Sequence, residues 1–257
     1  MKDHQALVQN EFSRQAGTLA TAALFNDERM LDRIREAAGL TRQSRALDVA
    51  CGPGIVAAAL ARDAGEVVAC DITPEMLARA VRRCAGAGLS NVRCILGEAE
   101  TLPFADGTFD VAVARSALHH FPRPERALAE MARVLRPSGR VVIVDVMSAE
   151  DAEDSALHNA LEMLRDPSHV RMPCRSELYA HLQRAGLAVQ SVSEWINHRE
   201  FGEWLKIVNA PQRVAPLRAI MSALAKAGVR AGINLRLENG KLLFEHHPLL
   251  LVAGKTG

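Results

Sequence analysis

The segment at residues 47–54, Leu-Asp-Val-Ala-Cys-Gly-Pro-Gly, places a carboxylate and two glycines between an apolar run and a helical pattern. Glycines at such a turn let a ligand approach the backbone closely. The start of the following helix offers unpaired N–H groups that suit an anionic part of a ligand. The carboxylate of Asp48 would instead attract a positively charged group. The segment therefore predicts a ligand that carries both signs of charge.

Two cofactors compete for this segment. Residues 52–57 match the second half of a dinucleotide fingerprint, and Asp71 follows at a suitable distance. However, Ala50 stands where the first glycine belongs, Pro53 lacks an N–H, and Asp48 would repel a pyrophosphate. S-adenosylmethionine carries an ammonium, a sulfonium and a single carboxylate. Charge therefore favours S-adenosylmethionine, and an NAD-dependent oxidoreductase is the alternative function.

Further ligand contacts are predicted after the next two strand-like runs. The carboxylate of Asp71 can accept hydrogen bonds from both hydroxyl groups of a ribose. Ile72 and Met76 offer an apolar face for an adenine ring. Glu98 and Ala99 set an acid beside a backbone N–H, a pair that can recognise the adenine amino group and a ring nitrogen.

A catalytic base is predicted where the fourth and fifth strands end. His119 and His120 follow the fourth strand, and Asp145 ends the fifth. A histidine and an aspartate on neighbouring strand ends can form a general base and the group that orients it. Such a base could take a proton from a hydroxyl, phenol or amine. The alternative is that these histidines only position the substrate or pack locally.

Acceptor binding is predicted from the same segment and from a later insertion. Arg115 lies among the cofactor candidates and could also hold an acidic acceptor or a neighbouring carboxylate of the protein. The candidates for acceptor binding are Arg115, His119, His120, His169 and Arg171.

Alternating strand and helix patterns between residues 45 and 146 must position these side chains. They indicate βαβ units, and hence an α/β fold with a doubly wound, mostly parallel sheet. In such sheets ligands bind at the carboxyl ends of the strands. Strands are predicted at residues 45–50, 66–71, 92–96, 109–114 and 140–146, and helices at 54–64, 74–87 and 125–135.

One domain over residues 1–257 is the simplest organisation, with 41–147 as the cofactor-binding core. Helices are predicted for residues 1–40, and helical insertions at 148–187 and 200–232 would form a lid over the substrate. In the first insertion Ser176 is the predicted N-cap of a helix. The C-terminal strands at 233–257 include a hairpin with an Asn-Gly turn, residues 239–240, followed by a last strand at 249–253.

Composition restricts the function classes. The chain has 257 residues, 49% hydrophobic and 24% charged, with a net charge of +1. This balance gives no general attraction for nucleic acid or an anionic membrane. No apolar run reaches the roughly 18–20 residues of a membrane span, and no signal peptide is expected, because residues 1–15 lack its apolar stretch. The five cysteines have no zinc-binding spacing. A cytoplasmic protein without metal is expected, and its 26 arginines against five lysines are typical of a GC-rich bacterial genome.

The sequence resembles the class I S-adenosylmethionine-dependent methyltransferases, and among them the type 11 small-molecule group. The matching segments are residues 47–54, 67–71, 97–104, 109–145 and 249–255. The resemblance implies a seven-stranded sheet whose last strand is antiparallel. It also implies that the methionine part of the cofactor is surrounded by Asp48, Ala50, Gly52 and Gly54. Asp71 would bind the ribose, and Glu98 with Ala99 the adenine.

The function implied by the resemblance is methyl transfer to an oxygen or nitrogen atom, or to a carbon atom, of a small-molecule acceptor. A C-methyltransferase without a general base is a further alternative. Nucleic-acid methylation is not expected, because residues 114–120 lack the Asn/Asp-Pro-Pro-aromatic motif. The N-terminal helix carries Leu19 where this family often has a tyrosine over the cofactor, so Phe12, Arg14 or Gln15 would have to cover it.

Overall fold

The computed structural model describes residues 2–256, which form nine strands and nine α-helices. The strands are β1 (Arg45–Val49), β2 (Glu66–Asp71), β3 (Val92–Leu96), β4 (Phe109–Arg115), β5 (Leu135–Met147), β6 (Leu187–Glu194), β7 (Asn197–Glu200), β8 (Arg236–Glu238) and β9 (Lys241–Lys255). The helices are α1 (Lys2–Thr21), α2 (Glu28–Ala38), α3 (Ile55–Leu60), α4 (Pro74–Gly86), α5 (Pro124–Val134), α6 (Ala152–Arg165), α7 (Arg175–Arg184), α8 (Phe201–Lys206) and α9 (Val214–Lys226).

The strands form a single sheet in the order β3-β2-β1-β4-β5-β9-β6. Strands β1 to β5 pair in parallel, whereas β9 runs antiparallel to both β5 and β6. The predicted α/β fold with a mostly parallel sheet is confirmed. β9 is longer than predicted. Its first half pairs with two short strands, β7 and β8, which bring the sheet from the expected seven strands to nine. The predicted turn at Asn239 and Gly240 joins β8 to β9.

The central strands are buried on both faces, as their near-continuous apolar sequences predict. Successive residues of β5, from Val141 to Ile143, are fully buried and alternate between two hydrophobic clusters. One cluster packs α5 and α7 on the sheet, and the other packs α2 and α3 on the opposite face. This two-sided burial fixes the strand ends that carry the polar residues described below.

Helix boundaries differ from the predictions in two places. α3 ends at Leu60 rather than at residue 64, because a turn follows it. That turn leads to Gly65, where an added Cβ would lie 2.3 Å from the carbonyl oxygen of Arg42. Cys174, not Ser176, is the N-cap of α7, because the Glu177 carboxylate accepts the Cys174 N–H at 3.0 Å.

The predicted lid divides into parts with different roles. α7 belongs to the main core through Leu178 and Leu182, so the second half of the 148–187 insertion covers the sheet rather than a ligand cavity. α8 and α9 form a third hydrophobic cluster with the segment before β8 and with β9, built around Trp204 and Phe244. Among residues 2–256, no helix combines the length and hydropathy that crossing a membrane requires.

Candidate functional site

A large cavity lies at the carboxyl ends of β1, β2, β3 and β4. The turns after these strands form one side of it, and α1, α6, the loop after α6, and α8 form the other. The predicted site residues in its lining are Asp48, Ala50, Gly52, Asp71, Ile72, Met76, Glu98, Ala99, Arg115, His119, His120 and His169. The structure therefore brings together most of the side chains that the sequence pattern selects.

Asp48, the residue before the last of β1, is the most unusual group at this side of the cavity. Its side chain is buried, and its Oδ2 atom has no hydrogen-bond partner. Burial raises the pKa of Asp48 to about 8, against a backbone hydrogen bond from Ala57 and the charge of Arg115. A buried carboxylate oxygen without a partner is costly, and a positively charged ligand would remove that cost.

The backbone of this turn leaves room for a ligand. Gly52 has φ +51°, and a Cβ added there would meet no atom within 4 Å. Ala50 also adopts a positive φ, +53°, which explains why a glycine is usual at that position. The unpartnered oxygen of Asp48 and the open face of Gly52 together fit S-adenosylmethionine, which brings positive charge and needs close approach to the backbone.

Gly54 has a different role from the predicted cofactor contact. It does not line the cavity, and a Cβ added there would lie 2.7 Å from the Cβ of Ala80 in α4. Its φ of +77° also lies in the region that favours glycine. Gly54 is thus required for the close packing of the turn against α4.

Asp71 links two parts of the cofactor region. Its Oδ2 accepts the Gly52 N–H at 2.8 Å, and its Oδ1 accepts the Thr73 N–H at 2.8 Å. Burial raises its pKa, against these backbone hydrogen bonds. Each carboxylate oxygen has a second lone pair, so Asp71 can still accept from hydroxyl groups of a ligand.

The predicted adenine contacts occupy suitable positions. Met76 is buried against Ala16 and Leu19 of α1 and still borders the cavity. Glu98 lies in the loop after β3, where its Oε2 accepts the Thr101 hydroxyl at 3.4 Å. Ala99 follows directly and also lines the cavity.

His119 and Asp145 form a buried pair where β4 and β5 end. The Nδ1 atom of His119 lies 2.7 Å from Oδ1 of Asp145. Asp145 also accepts backbone N–H groups from Ala117, Leu118 and Val146. Burial alone raises the pKa of Asp145, but the charge and hydrogen bond of His119 lower it overall. Because an ionised carboxylate only accepts, Nδ1 of His119 carries the proton.

The pKa values of three histidines in the cavity are shifted in different directions. Burial acts to lower the pKa of His119, but Asp145 outweighs it and the pKa is raised. Burial and the charge of His119 lower the pKa of His120 to about 4, and burial lowers that of His169 to about 3. Their rings hydrogen-bond elsewhere, His120 through Nδ1 to Ser168 and His169 through Nε2 to Asn159. Of these three histidines, only His119 has a pKa above the ordinary value.

The two predicted arginines interact mainly with other groups of the protein. Arg115 borders the cavity, but it donates to the carbonyl oxygens of Leu24 and Phe25 at 3.0 and 2.8 Å. Arg171, predicted to bind the acceptor, is exposed and pairs with Glu177 at 2.8 Å outside the cavity. The prediction for Arg171 is therefore corrected, because its charge is already partnered on the surface.

Of the three α1 residues suggested as cover for the cofactor, Phe12 and Gln15 line the cavity, whereas Arg14 pairs with Glu11. Sequence reasoning missed one group of cavity residues, which comprises Glu162, Arg165, Arg199, Trp204 and His246. His158 lies behind it, and the ligand atoms of His158, Glu162 and His246 are within 4.8 Å of one another, a spacing that could hold a metal ion. The i,i+4 pair His158 and Glu162 on α6 was the available signal.

Comparisons with known proteins agree with this geometry. A family model described as a methyltransferase domain matches residues 47–143. The uncharacterized methyltransferase YcgJ of Bacillus subtilis is 34% identical over 200 residues, which cover 78% of this chain and 79% of YcgJ. The crystal structure of YcgJ superposes with a TM-score of 0.83 at 31% identity, covering 90% of this chain and all of that one.

Two further structures share the fold. BH2331 of Bacillus halodurans C-125 has a TM-score of 0.83 at 29% identity, covering 88% of this chain and 99% of that one. Geranyl diphosphate methyltransferase in complex with S-adenosylmethionine has a TM-score of 0.62 at 16% identity, covering 89% and 85%. The second likeness shows the fold alone.

Proposed function

Because the chain belongs to the class I S-adenosylmethionine-dependent methyltransferases, we propose that it methylates an oxygen or nitrogen atom of a small-molecule acceptor, with His119 as general base. The observation that carries this proposal is the 2.7 Å contact between His119 Nδ1 and Asp145 Oδ1 at the edge of the cavity. A histidine held in this way can accept a proton at its other ring nitrogen.

The cofactor is S-adenosylmethionine, which supplies an electrophilic methyl group on a sulfonium when bound. Among the residues of this chain, Asp48 would stabilise its positive charge and the open backbone at Gly52 would accept the methionine part. Asp71 would bind the ribose hydroxyl groups, and Met76 with Glu98 would enclose the adenine. Arg115 would support these contacts indirectly, by holding residues 24 and 25 against the cavity.

His119 and Asp145 would handle the proton of the acceptor. Nδ1–H donates to Asp145, which leaves the lone pair of Nε2 free to take a proton from a hydroxyl or amine. The raised pKa of His119 means that the ring holds that proton once it is transferred. General-base help of this kind typically contributes about 10²–10⁴-fold to the rate.

The surroundings of the cavity support a small acceptor. α1 and α6 lie across from the strand ends, so an acceptor enters between helices rather than against an open face. The net charge of +1 supplies no field for a polyanion. The NAD alternative gains no support from the comparisons.

A labelling experiment tests the proposal. The purified protein is incubated with S-adenosylmethionine carrying a trideuterated methyl group and with a small-molecule extract of bacterial cells. We expect label on an oxygen or nitrogen atom of a small molecule, and its loss in His119→Ala. His198→Ala is the matched control, because its side chain is 74% exposed and lies outside the cavity.

Each other result contradicts part of the proposal. Label on a carbon atom that persists in His119→Ala would establish a C-methyltransferase without a base. A parallel incubation with a whole-cell extract completes the test, because label recovered there only in RNA or protein would exclude a small-molecule acceptor.

A further inference from the structure

One end of the cavity carries more positive than negative charge. We call it the cationic end and define it by Glu162 and Arg165 of α6, Arg199 of β7, Trp204 of α8 and His246 of β9. Four elements therefore contribute to it, and none of these residues belongs to the cofactor region or to the His119 and Asp145 pair.

Several hydrogen-bond donors at the cationic end lack acceptors. The Nε atoms of Arg165 and Arg199 and the Nε1 atom of Trp204 are buried without a hydrogen-bond partner. Arg165 also donates to Glu162 Oε2 at 2.8 Å, and its guanidinium lies 4.9 Å from the centre of the Trp204 ring. Within residues 2–256, the side chain of Arg199 makes no hydrogen bond and no ion pair. Buried donors without acceptors cost free energy, and a ligand oxygen would remove that cost.

Charge at the cationic end favours an anion over a metal ion. Arg165 pairs with the Glu162 carboxylate at 2.8 Å, whereas the side chain of Arg199 has no acidic partner among residues 2–256. Two arginines against one carboxylate leave one positive charge. A divalent cation at His158, Glu162 and His246 would increase that excess, whereas an anion would cancel it.

The cationic end and the proposed base belong to the same cavity. His169 lies between the two groups, with its ring centre 5.4 Å from that of His119. The charge of Glu162 also acts on the pKa of both His119 and His169. An acceptor could therefore be held at the cationic end while another of its atoms is near His119.

We propose that Arg199 and Arg165, with the indole N–H of Trp204, bind a carboxylate or phosphate group of the methyl acceptor. The proposal rests on the proposed function, since it names the class of acceptor for the same cavity. Arginine suits this role because its planar donors match the oxygens of both groups.

An NMR titration tests this binding without any methyl transfer. The chain has two tryptophans, so the Trp204 indole N–H signal can be assigned with Trp195→Phe. Protein saturated with S-adenosylhomocysteine is titrated with benzoate, phenyl phosphate and, as the neutral counterpart, benzamide. We expect a saturable shift of the Trp204 signal with one or both anions and none with benzamide. Comparison of the two anions distinguishes a carboxylate from a phosphate.

Two arginine variants make the test specific. In Arg199→Gln the anion should bind at least about tenfold more weakly, the loss expected for one charged hydrogen bond. The same variant without ligand should keep or raise its melting temperature, because an unpaired buried charge is removed. Arg218→Gln is the matched control, since Arg218 is exposed and stacks on Phe201 outside the cavity.

Two outcomes would overturn the proposal. One is a Trp204 signal that does not respond to either anion, or responds equally in Arg199→Gln. The other is a response to Zn²⁺ but not to anions, which would indicate a metal site at His158, Glu162 and His246. Either result leaves the role of His119 untouched, so this proposal and the proposed function can fail separately.

Discussion

The two ends of the cavity are built in opposite ways. At the cofactor end, Asp48 and Asp71 lie at or near the ends of the neighbouring strands β1 and β2, and both side chains are buried. At the cationic end, Arg165 and Arg199 come from separate elements and carry unpartnered donors. A ligand with positive charge is favoured at one end and a ligand with negative charge at the other. This polarity would orient a cationic methyl donor and an anionic acceptor with their reacting atoms near His119.

We expect the largest effect from a substitution of His119, which lies between the two ends of the cavity. His119→Ala should lower the rate of methyl transfer by about 10²–10⁴-fold, because it removes the base but no cofactor contact. The affinity for S-adenosylhomocysteine, measured by isothermal titration calorimetry, should stay within a few fold of the wild type. An unchanged single-turnover rate would show that the histidine only positions the substrate.

Asp48→Asn should weaken ligand binding at the cofactor end and leave the cationic end unchanged. We expect the affinity for S-adenosylmethionine to fall about 10- to 100-fold, the typical worth of an interaction with a charged group. Anion binding at the cationic end should be unaffected. Asp106→Asn serves as the control, because that side chain is 80% exposed. Equal calorimetric affinities for the two variants would show that Asp48 does not hold the cofactor.

The pH dependence of cofactor binding also tests whether Asp48 interacts with the positive charge of the cofactor. The pKa of Asp48 is about 8 before binding, so this group is mostly protonated at pH 7. A bound positive charge lowers that pKa, and binding therefore releases a proton. Affinity should rise as the pH increases towards 8, and heats measured in two buffers should show proton release. Proton uptake at pH 7 would contradict this account.

Ala50→Gly should have the smallest effect. The left-handed conformation of Ala50 costs about 1–2 kcal/mol, which glycine would remove. The greater freedom of glycine in the unfolded chain offsets about 0.4–1 kcal/mol of this stabilisation, so we expect the free energy of unfolding to rise by up to about 1.5 kcal/mol in denaturant titrations. Ala58→Gly, in helix α3, should instead lower it by about 1 kcal/mol. A loss of stability in Ala50→Gly would mean that the observed backbone carries no strain.

The cofactor end could be predicted from the sequence because its residues lie at the ends of strands or in the turns that follow them. Asp48, Asp71 and Asp145 all lie at or near strand ends, and the alternation of elements already fixes where such ends meet. The role of Gly54 could not be predicted in this way. Spacing shows that two glycines form a turn, but only the approach of Ala80 shows which of them faces a neighbouring helix.

The cationic end could not be predicted, because no local pattern connects its members. Arg165, Arg199 and His246 are far apart in the chain and meet only because α6 packs near the paired strands β7 and β9. Arg171 was selected instead because it lies in the insertion that was predicted to cover the substrate. Its neighbour Glu177 holds it on the surface. Closeness in sequence therefore predicts which residues meet within a strand–turn–helix unit, but it does not predict which residues of separate insertions meet.

The most direct test of the central claim is the protonation of His119 in the complex with S-adenosylhomocysteine. Nitrogen-15 NMR of the labelled ring, followed against pH, reports which nitrogen carries the proton and at what pKa. The account predicts a proton on Nδ1, titration at Nε2 with a pKa above the ordinary value of about 6.5, and a lower pKa in Asp145→Asn. A pKa below the ordinary value, or one that Asp145→Asn does not change, would contradict the assignment of His119 as the base.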